Sequence, residues 1–259
     1  MDYNLKDKVI IVTGGARGIG ESIVRKLADE NAIPCIIDLN KTLADQLCDD
    51  LIRLNKKCFV VIADLTDFDQ CKQAIDKIIT TYHKIDGLVN NAGVNDGVDL
   101  ENGSYERFIN SLKINAVHYY TITQLILPVL KASNGSIVNI CSKVGETGQG
   151  KTSGYAAANG MRLEMTTGWA TELGSSGIRV NAVVVSECST PQYESWLRTQ
   201  PNPDELLKKI NSKIPLFNRR TTPDEIADTA VFLLSEKSAG INGELFHVDG
   251  GYVHLDRSI

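Results

Sequence analysis

No apolar run in the 259-residue chain approaches eighteen residues, so none is long enough to cross a membrane as a helix. No block of Lys or Arg occurs and the formal net charge is −5, which argues against nucleic acid and acidic membrane surfaces as partners. The six cysteines are scattered with no CxxC pair, and the four histidines show no zinc-ligand spacing. The expectation is no metal, and buried free thiols in a reducing cytoplasm, with Cys141 and Cys188 nearest the candidate site. His247 and His254 read as surface or interface residues. The N-terminus enters the first apolar segment at once, which predicts no signal peptide. With no repeat, low-complexity stretch or linker, residues 1–259 read as one domain.

What is present is alternation. Short, continuous apolar segments predict buried strands at Val9–Val12, Ile33–Ile37, Cys58–Ile62, Gly87–Val89, Ser136–Ile140, Ile178–Val184 and Glu244–Val248. Amphipathic segments between them predict helices at about Gly18–Glu30, Leu43–Leu54, Phe68–Tyr82, Tyr105–Leu130 and Ser153–Leu173. The expected fold is α/β: a Rossmann-type, doubly wound, seven-stranded parallel sheet in a single domain. Residues to about 140 would bind a cofactor, and 141–259 would carry catalysis and substrate. Pro201, Pro203 and Pro215 interrupt the helical run from Glu194 to Lys213, which suggests an inserted helical lid over about 187–215.

Directly after the first strand comes Thr13-Gly14-Gly15-Ala16-Arg17-Gly18-Ile19-Gly20, and then a helix. Glycines in that setting let the backbone close on a pyrophosphate, and the helix N-terminus offers N–H donors and a favourable dipole. Asp38, at the end of the next strand, suits adenosine ribose hydroxyls and opposes a 2′-phosphate. Arg17 pulls the other way, because a guanidinium pairs with phosphate. NAD is therefore expected over NADP.

The spacing of Gly14, Gly18 and Gly20 resembles that of the short-chain dehydrogenase/reductase family, and an ordered set of further marks runs along nearly the whole chain. The resemblance implies adenine contacts at Asp64 and Leu65, and support of sheet and cofactor by Asn91, Ala92 and Gly93. It implies a proton-relay water ordered by Asn115, and a grip on the nicotinamide amide by Thr190. Asp249-Gly250-Gly251 also fits. Ser142 and Tyr155 stand thirteen apart, as the family's catalytic pair do. Tyr155 would then exchange a proton with an alcohol while Ser142 orients its oxygen, and hydride would pass between the carbinol carbon and nicotinamide.

The pattern breaks at Asn159, where the family has a lysine four residues after the tyrosine. An amide can keep a ribose hydrogen bond but brings no charge to stabilise tyrosinate. An ordinary tyrosine, with a pKa of about 10, is roughly one part in a thousand ionised at pH 7, a deficit of ~4 kcal/mol. Three outcomes follow: a slower enzyme with a high pH optimum, a substitute cation such as Lys143 or Lys151, or lost catalysis with binding retained. A second departure is Val185-Ser186 where the family has Pro-Gly.

Between Ser142 and Tyr155 lie Gly145, Glu146, Thr147, Gly148, Gln149, Gly150 and Thr152; Asn95, Asp96 and Glu187 end other strands. This polar set suits a polyhydroxylated substrate, with Gln149 and Glu187 foremost. The stretches Gly148–Tyr155, Thr221–Ser235 and Asp249–Arg257 resemble L-fucose dehydrogenases and related aldose 1-dehydrogenases. That implies oxidation of a sugar's anomeric hydroxyl to a lactone, in a homotetramer of 222 symmetry. The alternatives are a catalytically silent cofactor- or sugar-binding protein and a ketone or acyl reductase.

Overall fold

Seven strands form one parallel sheet in the computed structural model, which describes residues 3–255. Their order is β3-β2-β1-β4-β5-β6-β7, with β1 Val9–Thr13, β2 Ile33–Asp38, β3 Phe59–Ile62, β4 Gly87–Asn90, β5 Ser136–Ser142, β6 Arg179–Val185 and β7 Leu245–Val248. The helices are α1 Gly18–Asp29, α2 Lys41–Arg53, α3 Phe68–Tyr82, α4 Tyr105–Leu112, α5 His118–Ser133, α6 Ser153–Gly174, α7 Pro191–Arg198, α8 Pro203–Asn211 and α9 Pro223–Leu234. Asp256 and Arg257, at the end of the fucose dehydrogenase-like stretch, lie outside the described residues. No described helix is long and apolar enough to cross a membrane.

The five inner strands are buried on both faces, which is why their sequences read as runs rather than alternations. Ile10, Val12 and Ile36 point to one face and pack with α1, α2 and α9. Val9, Ile11, Cys35 and Ile37 point to the other and pack with α3, α5 and α6. α9 is additional to the elements that periodicity predicts. Thr222 and Glu225 form a capping box at its start, and Ile226, Ala227, Ala230 and Val231 are buried.

Two features depart from the expectations. The helix expected over Tyr105–Leu130 holds one π turn, Lys113–Val117, between α4 and α5, and Asn115 lies in it. In the lid region Pro203 opens α8, just as Pro191 opens α7 and Pro223 opens α9. A first-turn proline costs no hydrogen bond and presets φ. Pro191 and Pro203 divide helices there by starting them, while Pro201 lies in the bend before α8 and Pro215 in the turn after it.

The chain leaves β1 towards β2 and β3, returns to β4, and then proceeds to β7. The crevice at the carboxyl ends of β1 and β4 is where an open α/β sheet takes its ligand.

Candidate active site

The glycine loop leaves β1 at Gly14 and enters α1 at Gly18, with φ of +63° and +59° at these two residues. Gly20 has no room for a side chain: a Cβ there would lie 2.1 Å from the Gly14 carbonyl oxygen. That carbonyl also accepts from Asn91 Nδ2 at 3.0 Å, as does Thr13 O. Thr13 Oγ1 in turn accepts from the N–H groups of Asn91 (2.9 Å) and Ala92 (3.2 Å), tying the ends of β1 and β4 together. Asp38 supports the same loop, its two oxygens accepting from Ala16 N (3.0 Å) and Asn40 N (2.9 Å). Arg17 is exposed and Ile19 packs on the core edge of the loop. Asp64 accepts from Thr66 N at 2.9 Å, and Leu65 is half-buried beside it. Thr190 caps α7 by accepting from Tyr193 N at 3.2 Å, and a Cβ built at Gly18 would stand 3.7 Å from its Cβ. The tight glycine loop and fixed carboxylate would fit a dinucleotide at Gly14, Gly18, Gly20 and Asp38.

Ser142 ends β5 and Tyr155 lies in the first turn of α6, half-buried. Asn159, one turn on, is 0% exposed. Its Oδ1 accepts from Ser142 N at 2.8 Å and from Arg162 Nη1 at 3.3 Å, and its Nδ2 donates to Tyr155 O at 2.9 Å. Asn159 therefore braces the Ser142 backbone against the first turn of α6. Asn115 is buried too: Oδ1 accepts from Val94 N at 2.7 Å, and its main-chain oxygen accepts from Arg162 Nε. Asp249, in the late Gly-Gly motif, accepts from Gly251 N and Val253 N and so holds the turn after β7.

Arg162 is the residue that pattern reading passes over. The signal for it is spacing: Tyr155, Asn159 and Arg162 stand at i, i+4 and i+7, on one face of α6. Helical side chains lean towards the N-terminus, so the guanidinium reaches back beneath Tyr155. It lies 4.4 Å over the Tyr119 ring. Burial, together with the Arg162 charge, pushes His118 down to about 3, so that imidazole is neutral. Gly93 leaves space for the guanidinium: a Cβ there would come within 2.4 Å of Arg162 Nη2 and 2.9 Å of Asn115 Oδ1. We expect Gly93→Ala to cost about 2 kcal/mol, or roughly 5 °C in melting temperature. An unchanged calorimetric melt would disprove that crowding.

The two lysines proposed as substitutes lie elsewhere. Lys143 is buried and paired with Glu187, with its Nζ 3.7 Å over the Tyr252 ring. Lys151 is exposed on the loop before α6. The other Glu187 oxygen accepts from Tyr193 OH at 2.6 Å, and burial with the Glu187 charge raises that phenol. Gln149 is exposed and the structure does not bring it to Glu187 by any contact among the described residues. Asn95 accepts from Thr152 Oγ1 at 2.7 Å and Asp96 from Ser111 Oγ at 3.0 Å, which closes the β4 end over α4. Burial pushes the Cys141 and Cys188 thiols up to about 12, so neither is poised as a nucleophile. His247 and His254 meet each other at 3.1 Å, and His247 Nε2 meets Glu146 Oε2 at 2.8 Å, a grouping that spacing alone does not reveal.

A family model described as enoyl-(acyl carrier protein) reductase matches residues 14–253. The 3-oxoacyl-(acyl-carrier-protein) reductase FabG of Thermotoga maritima is 34% identical over 250 residues, covering 96% of this chain and 99% of its own length. L-fucose dehydrogenase of Bos taurus is 33% identical over 245 residues, covering 94% and 88%. The crystal structure of Cj0485 dehydrogenase matches with a TM-score of 0.94 at 42% identity, covering 100% of this chain and 99% of that one. With this loop, this sheet order and relatives of that length on both sides, the chain belongs to the short-chain dehydrogenase/reductase family of oxidoreductases.

Proposed function

We propose that the chain oxidises the anomeric hydroxyl of an aldose of the L-fucose type to its lactone, with NAD as acceptor. The observation that carries the reading is the Lys143–Glu187–Tyr193 cluster. It begins at the residue after Ser142 and runs across the β5 and β6 ends. A buried ion pair with a phenol attached offers donors and acceptors to sugar hydroxyls and a poor surface to an acyl chain. The 33% identity to L-fucose dehydrogenase points the same way.

Tyr155 would take the hydroxyl proton, and Ser142 would hydrogen-bond the same oxygen and fix its direction. The nicotinamide, when bound, supplies the hydride acceptor. Asp38 favours NAD, because a 2′-phosphate would meet its carboxylate. An anomeric hydroxyl is more acidic than an ordinary alcohol, so it asks less of the base. A 3-oxoacyl reductase is the second reading, favoured by the 34% identity to FabG.

The test is NADH formation across L-fucose, D-arabinose, L-galactose, L-rhamnose and simple secondary alcohols, with NADP in parallel. Acetoacetyl thioester reduction is measured beside it. A sugar should exceed the simple alcohols in kcat/KM by about a hundredfold, the scale of two or three well-placed hydrogen bonds. Thioester reduction exceeding every sugar would replace this reading with the second. NAD(H) binding with no turnover of any compound would leave a binding protein.

A further inference from the structure

We propose that Arg162 supplies the positive charge that lets Tyr155 act as a base, a duty that position 159 does not perform in this chain. The inference rests on the dehydrogenase reading above and names the group that makes its proton step possible.

Arg162 is 3% exposed, and no carboxylate pairs with it among the described residues. Its hydrogen bonds all go to neutral oxygens: Asn115 O, Ile140 O at 3.2 Å, Asn159 Oδ1 at 3.3 Å, Ala92 O at 3.4 Å and Asn115 Oδ1 at 3.5 Å. Burying an unpaired charge is expensive, and an aliphatic side chain of similar volume would fill the space more cheaply. The fold instead commits carbonyls from the β4 end, the π turn and β5, and two side-chain amides, to holding this guanidinium in place.

That place is beside the tyrosine. The guanidinium carbon lies 5.9 Å from the Tyr155 ring centroid. Position in the first turn of α6 adds the positive end of the helix dipole. The other titratable groups packed around the guanidinium are His118 and Tyr119 on α5 and Cys141 on β5. Burial holds all three in their neutral forms at pH 7. On the loop side Lys143 is matched by Glu187, and Glu146 faces His247. Arg162 is thus the uncompensated charge next to Tyr155. The substrate O–H bond breaks, its proton moves to the Tyr155 oxygen, and the guanidinium neither gives nor takes a proton.

The test is the titration of Tyr155 in protein carrying tyrosine labelled with 13C at Cζ, with Tyr155→Phe assigning the resonance. Arg162→Met and Arg162→Gln remove the charge; the glutamine keeps donors for the surrounding carbonyls and covers the case in which the methionine variant does not fold. Arg162→Lys keeps the charge. We expect both neutral variants to titrate about one pH unit or more above wild type, and the lysine variant to stay near it, the scale of one charge at this distance. With an active substrate, the rise of kcat with pH should move by the same interval, and KM should change little. A folded neutral variant whose Tyr155 titrates with wild type overturns the proposal. Wild type that titrates as expected but turns over no sugar, alcohol or ketone overturns only the dehydrogenase reading.

Discussion

Tyr155→Phe removes turnover and leaves the cofactor bound. On the proposed reading the phenol oxygen would accept the substrate proton, and phenylalanine keeps the ring, its place in the first turn of α6 and the bond from Asn159 Nδ2 to the residue's carbonyl. General-base catalysis contributes about 10²- to 10⁴-fold, so kcat should fall by about a thousandfold. The glycine loop and Asp38 do not touch this side chain, so NADH affinity should stay within about threefold of wild type. Rates on the best sugar and NADH fluorescence titrations on the same preparation check both halves. Residual kcat within about tenfold of wild type would remove Tyr155 from the chemistry.

Asn159→Lys, which installs the lysine that the resemblance leads one to expect, should damage the protein. In most settings this substitution would be read as a repair. Here the Asn159 oxygen is the acceptor for Ser142 N, and the nearest cation is Arg162 Nη1, 3.3 Å away. Lysine deletes the acceptor and puts a second positive charge where the first is already unpaired. Leaving a buried donor unsatisfied costs about 1–3 kcal/mol, and the like-charge contact adds to it. We expect a loss of about 3 kcal/mol, or roughly 6–12 °C in melting temperature. Adding Arg162→Leu should recover only the like-charge part of it, because Ser142 N still lacks its acceptor. A single lysine variant that melts with wild type would show that the pocket tolerates two charges.

Much of the fold is legible from the chain because most strands are short apolar runs between amphipathic helices. Val9–Val12 ahead of the glycine loop, and Phe68–Tyr82 with its apolar face, leave few alternatives. What the sequence shows of the candidate site is fixed spacing, as of Gly14, Gly18 and Gly20, or of Ser142 and Tyr155. The site is not legible where a side chain's role depends on what is folded against it. An arginine in a helix normally marks a solvated face, and nothing near Arg162 in the sequence announces carbonyls from residues 92, 115 and 140. Lys143 reads as a free cation until Glu187, forty-four residues on, closes over it. His247 and Glu146 meet only because β7 lies beside β6 at the edge of the sheet.

The π turn at Lys113–Val117 is the place where the long helix carries a residue more than a regular α-helix would. Each residue added to or taken from an α-helix rotates everything beyond it by about 100°. The wide turn takes up one surplus residue, which puts Asn115 against Arg162 while Tyr119, Ile122, Ile126 and Leu130 keep to the sheet. Many point substitutions in this helix would leave both faces in step. Loss of one residue from the turn itself would close it to a regular α turn with both halves still in step, whereas loss of one from α4 or α5 would swing the outer half away from the sheet. Among relatives of this chain, length within α4 and α5 should therefore vary less than sequence does, apart from one residue at the wide turn, while the loop before α4, which sets no phase, is free to grow.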